Sequence, residues 1–130
     1  MYESARRLGV SSSAREVPPS PAARSAVATA VSLTEEAKEL EDLDRWEDAL
    51  ERFQRVIVEF GKDEELEIRE CVAYSLLRTG LILCFKHRRA EAQAALGALL
   101  KHFHAGESPA IDEHLAAGFE RYQLLAHRGR

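Results

Sequence analysis

The sequence predicts an all-α protein, a solenoid of antiparallel helix pairs with about five helices in two and a half repeats of 43 residues. Three observations predict it. Residues 45–82 align with 88–125 without a gap, and nine of the 38 pairs are identical: Arg45/Arg88, Ala49/Ala92, Phe60/Phe103, Glu64/Glu107, Ile68/Ile111, Glu70/Glu113, Ala73/Ala116, Arg78/Arg121 and Leu81/Leu124. Four further pairs, Phe53/Leu96, Val56/Leu99, Ile57/Leu100 and Val72/Leu115, exchange one apolar side chain for another. The apolar positions recur at intervals of three, four and seven, the period of a helix face, while the alternation and hairpin dipeptides of strands are missing.

Each helix follows from local signals. Ser20-Pro21 is an N-cap followed by proline at the first helical position, where its missing N–H costs nothing. A helix runs from there to Leu43, and Asp44-Arg45 turns the chain. The second covers Trp46 to about Phe60 and ends at Gly61, expected as a left-handed C-terminal cap. Asp63 is expected to cap the third, which reaches Phe85 with Glu64, Glu65 and Glu67 in its first turns, favourable against the helix dipole. The fourth spans Arg89 to about Phe103. Ala105-Gly106 breaks the chain, and Ser108-Pro109 repeats the cap-plus-proline device before a fifth helix to about residue 126.

Two domains of behaviour are expected. Residues 1–19 hold Ser11-Ser12-Ser13 and Pro18-Pro19 and read as a disordered tail; residues 20–130 form the helical domain. Charge divides in a similar way. Residues 1–24 carry Arg6, Arg7, Arg15 and Arg24 against Glu3 and Glu16, net +2, whereas the rest carries 14 basic and 20 acidic residues, net −6. An acidic domain repels a polyphosphate backbone, so nucleic acid is not an expected partner. The basic run Lys86-His87-Arg88-Arg89 reads as an inter-helix turn. No apolar stretch has the ~18–20 residues of a membrane span, and the N-terminus lacks a signal-peptide core, so a cytoplasmic chain is expected. Cys71 and Cys84, thirteen residues apart on one helix, stand about 20 Å apart and cannot form a disulfide with each other.

Small residues recur where paired helices must meet. Gly80, Ala92 and Leu96 have the spacing small, small twelve later, large four later, with Leu83 a further large side chain. Ala37, Ala49 and Phe53 repeat it, with Leu40 and with Trp46 just before the second helix. Backbones approach closely only where side chains are small, and the large residue fills the gap one turn on. This spacing, with Glu47-Asp48-Ala49-Leu50 and Ala90-Glu91-Ala92, resembles the tetratricopeptide repeat over about residues 25–126. The period of 43 exceeds that family's ~34, the closing proline is replaced by Gly61 and His104, and Gln123 stands where a small residue belongs.

The resemblance implies a protein-binding adaptor that presents a concave face built from the first helix of each pair. Its groove positions fall on Lys38, Glu41, Tyr74, Leu77, Arg78, Leu81, Phe85, Glu120, Arg121 and Leu124. Arg78 and Arg121 recur at one repeat position, suited to clamping a partner carboxylate or to an internal pair with Glu70, Glu113 or Glu120. The 63–86 helix is apolar nearly all round, so either it is enclosed or a protein partner, or a second copy of the chain, covers its Tyr74–Leu77–Leu81–Phe85 stripe. An enzyme is not expected. His102 and His104 point about 200° apart on a helix, a poor metal clamp. No phosphate loop or dinucleotide fingerprint occurs, and no nucleophile–base set can be inferred around Ser12, Ser25, Ser32 or Ser75. No cofactor or metal is expected.

Overall fold

A computed structural model describes residues 20–128, and these are helical almost throughout: α1 (Pro21–Asp42), α2 (Trp46–Phe60), α3 (Leu66–Phe85), α4 (Arg89–His102) and α5 (Pro109–Arg128). The tail expected over residues 1–19 lies outside the described residues. Ser20 Oγ accepts from the Ala23 N–H at 3.0 Å, and Ser108 Oγ accepts from the Ile111 N–H at 3.1 Å, so both Ser-Pro pairs cap as expected.

The third helix starts later than the sequence suggested. It opens at Leu66 after an extended Glu65, and of the three acids only Glu67 lies in its first turn. Asp63 instead accepts the Glu65 N–H at 2.9 Å, a local turn ahead of the helix. Gly61 is also corrected: its φ of −60° is right-handed. Glycine suits this site because a Cβ would stand 2.5 Å from the Ile57 carbonyl oxygen.

The repeat extends to the atoms of the turns. Asp44 and His87, 43 residues apart, adopt φ of 60° and 63°. Around the first, Asp44 N–H donates to the Glu41 carbonyl at 3.0 Å and Arg45 N–H to the Leu40 carbonyl at 2.9 Å. Around the second, His87 N–H donates to Cys84 at 3.0 Å and Arg88 N–H to Leu83 at 2.8 Å. This is one C-terminal motif made twice, with a left-handed residue reversing the chain and satisfying carbonyls that a helix end leaves open. Arg45 then pairs with Asp48, and Arg88 with Glu91, each three residues on.

Packing follows chain order. Helix α1 touches α2 and α3, α2 touches α3, α4 touches α5, and α3 touches all four others; among the described residues α2 and α4 do not meet. Ala37, Ala49 and Phe53 are fully buried in a cluster with Ile82, against which Trp46 and Tyr74 pack. Ala92, Leu96 and Leu99 are equally buried in the larger cluster with Ala30, Val72 and Ile111. A Cβ on Gly80 would lie 2.5 Å from Leu96 Cδ2, so α4 crosses α3 against bare backbone. Ten residues of α3 are buried, and the stripe through Glu67, Glu70, Tyr74, Leu81 and Phe85 is half-buried or exposed. Helices α1, α2, α4 and α5 cover much of its apolar surface, while Phe85 at its end stays 68% exposed.

Candidate partner-binding face

The first helices of the successive pairs, α1, α3 and α5, lie side by side and share an open groove of about 350 Å³. Val31, Thr34, Glu35 and Lys38 line it from α1, Glu67, Glu70, Cys71 and Tyr74 from α3, and His114 from α5. The repeat places these residues, since Val31 precedes Tyr74 by 43 positions and Cys71 precedes His114 by 43.

Tyr74 organises the groove. Its ring meets the Phe53 ring at 5.9 Å and the His114 ring at 5.4 Å, both edge-on, and the Lys38 ammonium sits 4.8 Å from its centroid. Lys38 also pairs with Glu35 at 3.2 Å. Burial raises the Tyr74 phenol above its ordinary pKa. Burial also lowers His114, outweighing the nearby Glu113 and Glu70 carboxylates. Cys71, half-buried between α1 and α3, has its thiol raised by desolvation and is poorly reactive; both cysteines are free.

The ten residues expected to line the groove divide sharply. Lys38 and Tyr74 do so. Leu77 does not: it is 6% exposed, belongs to the core, and sits against Gly118 of α5. Arg78 is half-buried, and both its Nε and one terminal nitrogen donate to Glu41, whose side chain is 11% exposed. That pair locks α1 to α3 and occupies Arg78; an internal pair is one of the two roles the sequence allows Arg78, and its partner is Glu41 rather than Glu70, Glu113 or Glu120. Leu81 is half-buried against the core. Phe85 is 68% exposed, its ring 5.4 Å from that of Trp46. Glu120 and Leu124 are exposed on α5, as is Arg121, which reaches Cys84 Sγ at 3.9 Å. Phe85 and Leu81 lie toward the C-terminal end of α3 and Leu124 toward that of α5, outside the groove lining.

Val31, Thr34, Glu35, Glu67, Glu70, Cys71 and His114 were missed. The signal was available in the 43-residue offset, which maps the groove position of Tyr74 back onto Val31. A second shallow groove lies at the end of the stack, where Leu100 of α4 and Leu115, Ala116 and Phe119 of α5 are left uncovered. Among the described residues, no three His, Cys, Asp or Glu side chains are grouped to hold a metal ion, and no helix is long and apolar enough to cross a membrane. No family model matches the sequence, and neither a curated protein nor a solved structure matches the chain.

Proposed function

We propose that the chain is a non-catalytic, tetratricopeptide-like binding module that takes a segment of another protein on the face shared by α1, α3 and α5. The observation that carries this reading is the side-by-side packing of successive first helices around an open groove, in register with a turn motif repeated at 43 residues. A stack of helix pairs builds a continuous core and displays one face of like helices, and such a face binds by shape and side-chain chemistry. The cytoplasm is the proposed compartment, in keeping with two unbridged cysteines.

The test is capture of a partner by the purified chain, compared with Phe85→Glu and Leu81→Glu. Phe85 is the cleaner probe, since 68% of it is in solvent and a charge there leaves the core intact. Both variants are expected to lose the partner that the parent captures, with unchanged helicity by circular dichroism. Retention by both overturns the face.

A self-associating module is the second reading. The observations favouring it are Phe85, 68% exposed on the α3 stripe, and Phe119, 52% exposed beside the uncovered groove on α4 and α5. A strict monomer by light scattering removes it.

A further inference from the structure

The partner's chemistry is written in the charges around the groove. Lys38 is matched by Glu35 and Arg78 by Glu41, so the basic groups facing α1 and α3 are spoken for within the chain. Three carboxylates remain. Among the described residues, Glu67 and Glu70 in the groove and Glu113 beside it enter no ion pair. Glu67 is explained by the first turn of α3, where a negative charge complements the helix N-terminus. Glu70 and Glu113 lie one turn deeper, where that effect has faded, and they occupy equivalent places in successive repeats. His114 stands between them in charge terms, and burial favours its neutral form, so it adds little positive charge at neutral pH.

Beside Glu67 and Glu70 the groove floor is largely apolar, with Val31, Cys71 and the Tyr74 ring. We propose that this groove receives a cationic peptide segment, whose Arg or Lys side chains pair with Glu67, Glu70 and Glu113 while a small apolar side chain fills the floor. The proposal rests on the protein-binding reading above and specifies its partner. An acidic segment would bring like charges against three carboxylates that enter no ion pair among the described residues. Arginine fits better than lysine, because its planar fork takes a carboxylate through two hydrogen bonds.

Fluorescence anisotropy of a fluorescein-labelled peptide, Gly-Arg-Ala-Val-Arg-Ala-Arg-Gly, titrated with the full chain tests this, beside the same peptide with glutamate for arginine. The cationic peptide is expected to saturate and the acidic one to stay free. Paired Glu70→Gln and Glu113→Gln should weaken binding by about tenfold, the worth of two partly screened charge contacts. Glu51→Gln with Glu59→Gln, the same charge change on α2, should leave it within about twofold. Failure of the cationic peptide to saturate, or equal weakening by the two double variants, overturns the proposal. Saturation by the acidic peptide, abolished by Phe85→Glu, also overturns it but leaves the binding face standing. Loss of partner capture in the Phe85→Glu comparison decides that reading separately.

Discussion

At Gly80 two effects of opposite sign meet. An alanine would favour the helix by about 1 kcal/mol over glycine. Its Cβ, however, would stand 2.5 Å from Leu96 Cδ2 and 2.6 Å from Cγ, and Leu96 is fully buried with nowhere to swing. Overpacking costs about 1–3 kcal/mol, and an approach this close to a side chain with no exposure belongs at about 2–3 kcal/mol, so the clash wins. Gly80→Ala is expected to lower the urea midpoint by an amount equal to about 1–2 kcal/mol after the helix gain is deducted. An unchanged or higher midpoint would mean that α4 can move off α3 freely, and that the crossing is not held by small residues. The equivalent positions show how the same contact varies along the chain. Ala37 fills the place in the first pair with no exposure, and Gln123, exposed, fills it in the last.

At the scale of helices, the junctions decide where one element ends and the next begins. Asp44 and His87 each hold a left-handed conformation that costs a non-glycine residue about 1–2 kcal/mol. Glycine takes that conformation freely but loses more entropy on folding, so His87→Gly is expected to raise stability by about 0.5–1 kcal/mol. His87→Val, whose branched Cβ resists positive φ, is expected to lower it. A thermal-melt series with both variants checks the pair; identical melting points would show that the junction tolerates any backbone. These junctions also show why some of the structure was hidden in the sequence. Polar residues in the left-handed role carry no glycine signal, whereas Gly61, which looked like such a cap, serves a close approach to the Ile57 carbonyl instead. The helices themselves were legible, because caps and apolar spacing are local. Which surface covers α3 was not, because a helix apolar all round states only that something surrounds it. Leu77 reads from the sequence as a groove residue, yet α5 buries it; Arg78 reads as a clamp or as half of an internal pair, and the pair forms with Glu41, 37 positions away. The groove residues Val31 and His114 depend on how three helices align, which the offset encodes but composition does not.

Across the whole molecule, α3 joins parts that otherwise touch little, and two ionisable contacts on it give stability a stepwise dependence on pH. His114 of α5 packs on Tyr74 of α3, and burial lowers its pKa below the ordinary 6.5 despite Glu70 and Glu113 nearby, with Lys38 opposing them. As pH falls through about 6.5 the unfolded chain takes up a proton that the folded chain resists, so stability declines from there. The second contact acts lower. Arg69 of α3 donates to both Glu107 carboxylate oxygens, at 2.7 and 3.0 Å, and to the His102 carbonyl at 3.1 Å, with its guanidinium 4.4 Å over the Phe103 ring. Glu107 also accepts the His104 N–H at 2.7 Å, and donation by Arg69 holds its carboxyl below the ordinary 4.5. Its contribution is therefore present above about pH 4.5 and is lost as pH falls through the lowered value. Denaturation profiles at several pH values between 8 and 3 are expected to show an upper decline that His114→Gln removes and a lower one that Glu107→Gln removes. The upper step reports α5 against α3 and the lower reports the loop after α4 against α3. If His114→Gln left the decline between pH 7 and 5.5 unchanged, α5 would not be bound to the stack through this ring, and the groove it helps to line would lack a fixed wall.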